Sequence, residues 1–131
     1  NMILTLGYAV LIGPVSEEMI FRGAIFDRVY TVFPFWKANI IQAVLFGVYH
    51  MNIVQGLYAF CLGMVLGIIV KATGSILCSM ITHITFNGTS YLLPVILGTG
   101  AAWVNIIVLI IALFLIAAGI FGIKFLMRSL N

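Results

Sequence analysis

Six polar side chains interrupt an otherwise apolar chain at spacings suited to acid–base chemistry: Glu17, Glu18, Arg22, His50, His83 and Asn87. The first three fall in one stretch, V-S-E-E-M-I-F-R-G, from Val15 to Gly23. A charged side chain at membrane depth costs roughly 2.5–3.5 kcal/mol on insertion scales, so it is rarely idle. On a helix Glu18 and Arg22 stand four apart and can neutralise each other as an ion pair. Glu17 is about 100° further round, at ~3.6 residues per turn, and lacks that partner. One carboxylate is structural, and the other is free to act as a base. His50 closes F-G-V-Y-H, four residues after Phe46, while His83 and Asn87 share one helical face in H-I-T-F-N. A carboxylate withdrawn from water is a stronger base, and an imidazole polarises water or shuttles a proton.

The elements that carry these groups follow from composition. Of 131 residues, 64% are hydrophobic and only 7% charged, and the mean hydropathy is +1.28. A soluble domain of this size cannot bury so much apolar surface, so the solvent is a bilayer and a soluble class is excluded. The net charge of +3 carries no implication of nucleic acid, because the cations lie at helix ends. Length gives one domain, residues 1–131, read as the core of a longer membrane protein. Cys61 and Cys78 lie in separate apolar spans and read as buried free thiols.

Hydropathy predicts an all-α, multi-span bundle of about five helices. The first runs from about Met2 to Val32, kinked at Gly13-Pro14 and stopped by Pro34. A second covers about Trp36 to Met51, and a third about Gly56 to Ala72. A fourth starts at the N-cap Ser75 and ends near Leu97. Gly98-Thr-Gly100 leads to a fifth, about Trp103 to Met127. With alternate connections on alternate faces, Arg28, Lys37, Lys71, Lys124 and Arg128 collect on one side, which the excess of cations marks as cytoplasmic. Trp36 and Trp103 sit at span ends, as interfacial anchors do. Gly63-x-x-x-Gly67 and Ala118-x-x-x-Gly122 permit close helix approach.

Counting inward from that side at ~1.5 Å per residue, Glu17 and His50 lie roughly 20 Å deep, Asn87 roughly 18 Å and His83 roughly 12 Å. Four polar groups from three helices in one layer would be costly against lipid, so they are expected to line an enclosed polar cavity. A lone membrane histidine is often only a packing residue, but a purely structural role for all four together is the less economical reading. Thr82 and Thr85 read as backbone-bonding residues.

In order along the chain, E-E-x-x-x-R (Glu17, Glu18, Arg22), F-x-x-x-H (Phe46, His50) and H-x-x-x-N (His83, Asn87) resemble the CAAX-protease and bacteriocin-processing family (CPBP or Abi), which includes the type II CAAX prenyl endopeptidases. The motifs span about Pro14 to Asn87. The resemblance implies an intramembrane glutamic endopeptidase in which Glu17 and His50 hold and deprotonate a water. It implies that His83 and Asn87 stabilise the oxyanion, where losing one donor costs roughly 2.7–4 kcal/mol. Glu18, Arg22 and Phe46 take supporting roles. The implied substrate is a membrane-associated peptide or a prenylated CAAX-like protein, in a prokaryotic plasma membrane, with membrane lipids and no nucleic acid as partners. Two histidines and a glutamate also match the ligand types of a catalytic zinc site. No H-E-x-x-H is present and asparagine is a poor zinc ligand, so no cofactor is expected. The rival functions are a catalytically silent scaffold or bacteriocin-immunity protein on the same fold, and a small transporter or proton relay. No repeat favours the last.

Overall fold

The structure, a computed structural model, describes residues 1–96 together with Ile106, Ile107 and Ile110, and every regular element among them is helical. The Gly98–Gly100 connection, most of the predicted fifth helix and Ala118-x-x-x-Gly122 lie outside the described residues.

The first helix, residues 2–32, runs without a break and changes its winding twice. Met2–Gly7, Gly13–Glu18 and Asp27–Val32 are α-helical, while Tyr8–Ile12 and Met19–Phe26 widen to π. The expected kink at Pro14 takes the form of the first wide segment. Gly13 N–H reaches back five residues to Tyr8 O, and Pro14 then has no N–H for the next carbonyl in that register, Ala9. Phe33 and Pro34 are extended, with ψ of 152° and 153°, and end the helix.

The second helix is Phe35–Tyr49, whose 15 residues span only about 22 Å at ~1.5 Å per residue. The third, Ile53–Thr73, begins one turn earlier than hydropathy suggests, because the Asn52 side chain caps it by accepting from Gln55 N–H at 2.9 Å. It ends at Gly74 with φ of 65°, whose N–H closes on Val70 O. The fourth, Ile76–Ile96, contains Pro94 near its end.

Second and third helices pack through small residues and a polar seam. A Cβ at Gly67 would overlap Asn39 Oδ1, and one at Gly47 would stand 2.7 Å from Gly56 O, so glycine is needed for this close approach. Asn39 Nδ2 donates to Met64 O at 3.0 Å, and Gln42 Nε2 donates to Gly63 O at 2.9 Å and to Asn39 Oδ1 at 2.7 Å. Both amides are buried. In hydrocarbon, where dispersion and hydrogen bonds replace the hydrophobic drive between helices, such a seam is what joins them.

Among the described residues two helices are long and apolar enough to cross a membrane, Leu4–Val32 and Ile53–Thr73, with 29 and 21 residues. Their outward faces stay apolar: Ile12 is 60% exposed, Leu57 66% and Ile53 85%. A surface of this kind fits lipid, and the chain is an all-α membrane bundle. Lys71 Nζ donates to Tyr30 OH at 2.6 Å and lies 4.8 Å from that ring's centroid. This contact brings the end of the first helix and the end of the third to the same face.

Candidate active site

Helical geometry alone makes the first link of the site. Arg22 Nη1 donates to Glu18 Oε1 at 2.8 Å, with both side chains wholly buried. The guanidinium carbon lies 4.5 Å from the Phe46 ring centroid, so an apolar face meets the cation where water cannot. Phe46 also meets Phe21 edge-on at 5.0 Å, His50 at 4.9 Å and His83 at 5.7 Å. It is the buried ring around which the polar groups assemble.

The fourth helix completes the cluster. Its face carries Ser79, His83 and Asn87 at successive four-residue steps. Ser79 Oγ donates to Glu18 Oε2, and His83 Nδ1 lies 2.9 Å from Glu18 Oε1. An oxygen already holding Arg22 belongs to an ionised carboxylate, so Nδ1 is the donor and carries a proton. Glu18 thus accepts from three groups and belongs to the cluster's centre, whereas the sequence suggested an ion pair set apart from it.

Fixing Nδ1 on Glu18 turns the other ring nitrogen of His83 toward Glu17. His83 Nε2 is 3.6 Å from Glu17 Oε2. Glu17 keeps 19% of its side chain exposed, where Glu18 keeps 0%. Of the two carboxylates it is therefore the one that a water or a substrate can reach. Both histidines, Glu18 and Arg22 act on it electrostatically.

His50 ends the second helix as its C-cap residue. Its Nδ1 lies 2.8 Å from Phe46 O, a carbonyl near a helix end that needs a donor. This explains the F-x-x-x-H spacing: Nδ1–H is spent on the helix, and Nε2 is left as an acceptor. The turn that follows is strained, since Met51, a non-glycine residue, has φ of 54°.

Asn87 shares the helical face of His83, and its amide reaches the first helix. Nδ2 donates to Ala9 O at 3.0 Å, the carbonyl that Pro14 leaves without a backbone donor. One amide N–H is thereby committed to holding the wide turn. The structure thus brings Glu17, Glu18, Arg22, Phe46 and His83 into one packed cluster, with His50 against Phe46 and Asn87 one turn beyond. An apolar groove of about 380 Å³ between the second and third helices, lined by Val44, Gly47, Val48 and Leu57 among others, includes none of the residues of this cluster. Among the described residues, no three His, Cys, Asp or Glu side chains converge to hold a metal ion.

Ser79 was missed by sequence reasoning, as were Asn39 and Gln42. Ser79 was findable, because S-x-x-x-H-x-x-x-N is one continuous polar stripe in an apolar helix.

One curated relative, the Putative membrane peptidase YdiL of Bacillus subtilis (strain 168), is 30% identical over 77 residues, covering 59% of this chain and 32% of that relative. The chain thus spans about a third of the length of that relative. No solved structure matches it. The family model for type II CAAX prenyl endopeptidase Rce1-like proteins matches residues 1–89, which include every residue of the cluster. By that match the chain is a membrane protein belonging to the type II CAAX prenyl endopeptidase Rce1-like family.

Proposed function

We propose that the chain is the core of an intramembrane glutamic endopeptidase that cuts a membrane-associated peptide or a prenylated, CAAX-like protein. The observation that carries this reading is the asymmetry of the two carboxylates. Glu18 is saturated by Arg22, His83 and Ser79, while Glu17 is partly open and faces His83 Nε2 at 3.6 Å. A saturated anion positions its neighbours, and an open one takes protons.

In the proposed reaction a water lies between Glu17 and His50 Nε2, the acceptor left free by the Phe46 contact. Its oxygen attacks the scissile carbonyl carbon as Glu17 takes one of its protons. His83, protonated on both nitrogens, then offers Nε2–H to the oxyanion. With His83 charged, the two carboxylates, Arg22 and the imidazolium sum to zero, the least costly total inside a bilayer. The second N–H of Asn87, beyond the one held by Ala9, is the other oxyanion donor. Glu17 returns the proton to the leaving amine as the C–N bond breaks.

The membrane proposed is a prokaryotic plasma membrane, with Arg28, Lys37 and Lys71 on its cytoplasmic side. Incubating the purified chain with a membrane-peptide library, and mapping cuts by mass spectrometry, tests the activity. Cuts that vanish in Glu17→Gln support it. A library left intact by the folded wild type would favour a catalytically silent scaffold.

A further inference from the structure

Ser79 lies wholly buried on the fourth helix, one turn before His83, and its hydroxyl donates to Glu18 Oε2. The other oxygen of that carboxylate, Oε1, receives both Arg22 Nη1 at 2.8 Å and His83 Nδ1 at 2.9 Å. Two donors on one oxygen is not the arrangement a free carboxylate would choose, because each oxygen can take a donor of its own. Rotation about the last torsion of Glu18 would let Arg22 keep one oxygen and move His83 to the other. That torsion is broad and soft for a carboxylate. An occupied Oε2 opposes the rotation.

We infer that Ser79 is a positioning residue: by holding Oε2 of Glu18, it keeps Oε1 on Nδ1 of His83 and so keeps Nε2 of that ring directed at Glu17. The groups facing His83 are Glu17 and Glu18 from the first helix, Arg22 behind Glu18, and the Phe46 ring from the second. Phe46 meets the imidazole edge-on at 88° and donates no hydrogen bond, so it restricts the ring without setting its protons. Ser79 and Glu18 together are the only route, among the described residues, by which Nδ1 is fixed.

The kinetic half of this inference rests on the peptidase reading, and its spectroscopic half does not. The test uses the full chain in lipid nanodiscs with nitrogen-15-labelled histidine. There are only two histidines, and a His50→Asn variant assigns their signals. In the wild type His83 Nδ1 is expected to carry a hydrogen-bonded proton. In Ser79→Ala that proton is expected to lose its hydrogen-bonded signature, and in Ser79→Thr, which keeps the hydroxyl, to regain it. With a library peptide that the wild type cuts, Ser79→Ala should lower kcat about tenfold, because Glu18 stays in place and only the aim of the imidazole is loosened, a kind of misplacement that can cost up to about 100-fold. KM should stay within about twofold, because Ser79 touches no substrate.

If Ser79→Ala does not fold, Ser79→Cys, of similar shape and with a weak S–H donor, takes its place and should show a weakened Nδ1 signature. An unchanged Nδ1 proton in the folded Ala or Cys variant overturns the inference, whatever happens to kcat. A chain that cuts no peptide but shows the Nδ1 change would leave Ser79 as the positioning residue and remove the peptidase reading instead.

Discussion

At the scale of single residues, Glu17 and Glu18 are chain neighbours with different surroundings. Glu17→Gln keeps shape and removes one partly exposed charge, so the protein should fold and cutting should fall to background in the library assay. Glu18→Gln leaves Arg22 buried with no counterion and takes an acceptor from His83 and Ser79. Breaking a buried pair in this way costs about 3–5 kcal/mol, and the expected readout is a sharp loss of folded yield and of thermal stability in detergent. Near-normal turnover in Glu17→Gln would remove it from the base's role. A second expectation concerns metal. Among the described residues no three His, Cys, Asp or Glu side chains converge on a metal position, and Asn87 serves as a donor. Cutting is expected to survive exhaustive dialysis against 1,10-phenanthroline, and inhibition reversed by added zinc would favour the zinc-dependent alternative.

At the scale of helices, the first helix is held in shape by a residue 78 positions away. Pro14 leaves Ala9 O without a backbone donor, and Asn87 provides one. Pro14→Ala returns an N–H to that turn, so Asn87→Ala should cost less stability in the Pro14→Ala background than in the wild type. A coupling of about 1 kcal/mol is expected, the net value of one such hydrogen bond. Simple additivity in a double-mutant cycle of thermal stability would refute the link. The second and third helices depend on Gly67. An alanine there collides with Asn39 Oδ1 and must push that amide off Met64 O and Gln42. Overpacking of this kind costs typically about 1–3 kcal/mol, and the lost amide bonds add to it, so Gly67→Ala should unfold at distinctly lower detergent denaturant than Gly74→Ala. At Gly74 nothing stands within 4 Å of the added methyl, and only the αL backbone is strained.

At the scale of the whole molecule, the Lys71–Tyr30 contact puts the connection after the first helix and the one after the third on the same face. With Arg28 and Lys37 nearby in sequence, that face is expected to be cytoplasmic. Single cysteines placed at Thr31 and at Thr73, in a background with Cys61 and Cys78 replaced, should resist an impermeant maleimide added outside intact cells. Labelling of both from outside would invert the topology. The second helix, about 22 Å long at ~1.5 Å per residue, is shorter than the hydrocarbon, and the turn after it exposes Met51 (91%) between the polar His50 and Asn52.

What was legible in the sequence is what depends on local geometry and on solvent. A composition so poor in charge admits no water-soluble core, and so the membrane class and the helices follow from it. Four-residue spacing joins Glu18 to Arg22 and seats His50 on Phe46 O, since both ends of each contact lie on one turn. The same period sets Ser79, His83 and Asn87 on one face, yet a face does not name its partner. Glu18 meets His83 and Ser79 across 65 and 61 residues, and Asn87 turns to Ala9. Only the packing of the fourth helix against the first decides this, because it brings a particular carbonyl and a particular carboxylate within reach of side chains that periodicity could merely align. The widening at Tyr8–Ile12 and Met19–Phe26 was equally out of reach: a π turn differs from an α turn by one residue, and the neighbouring helices determine which of the two leaves every buried donor and acceptor better matched.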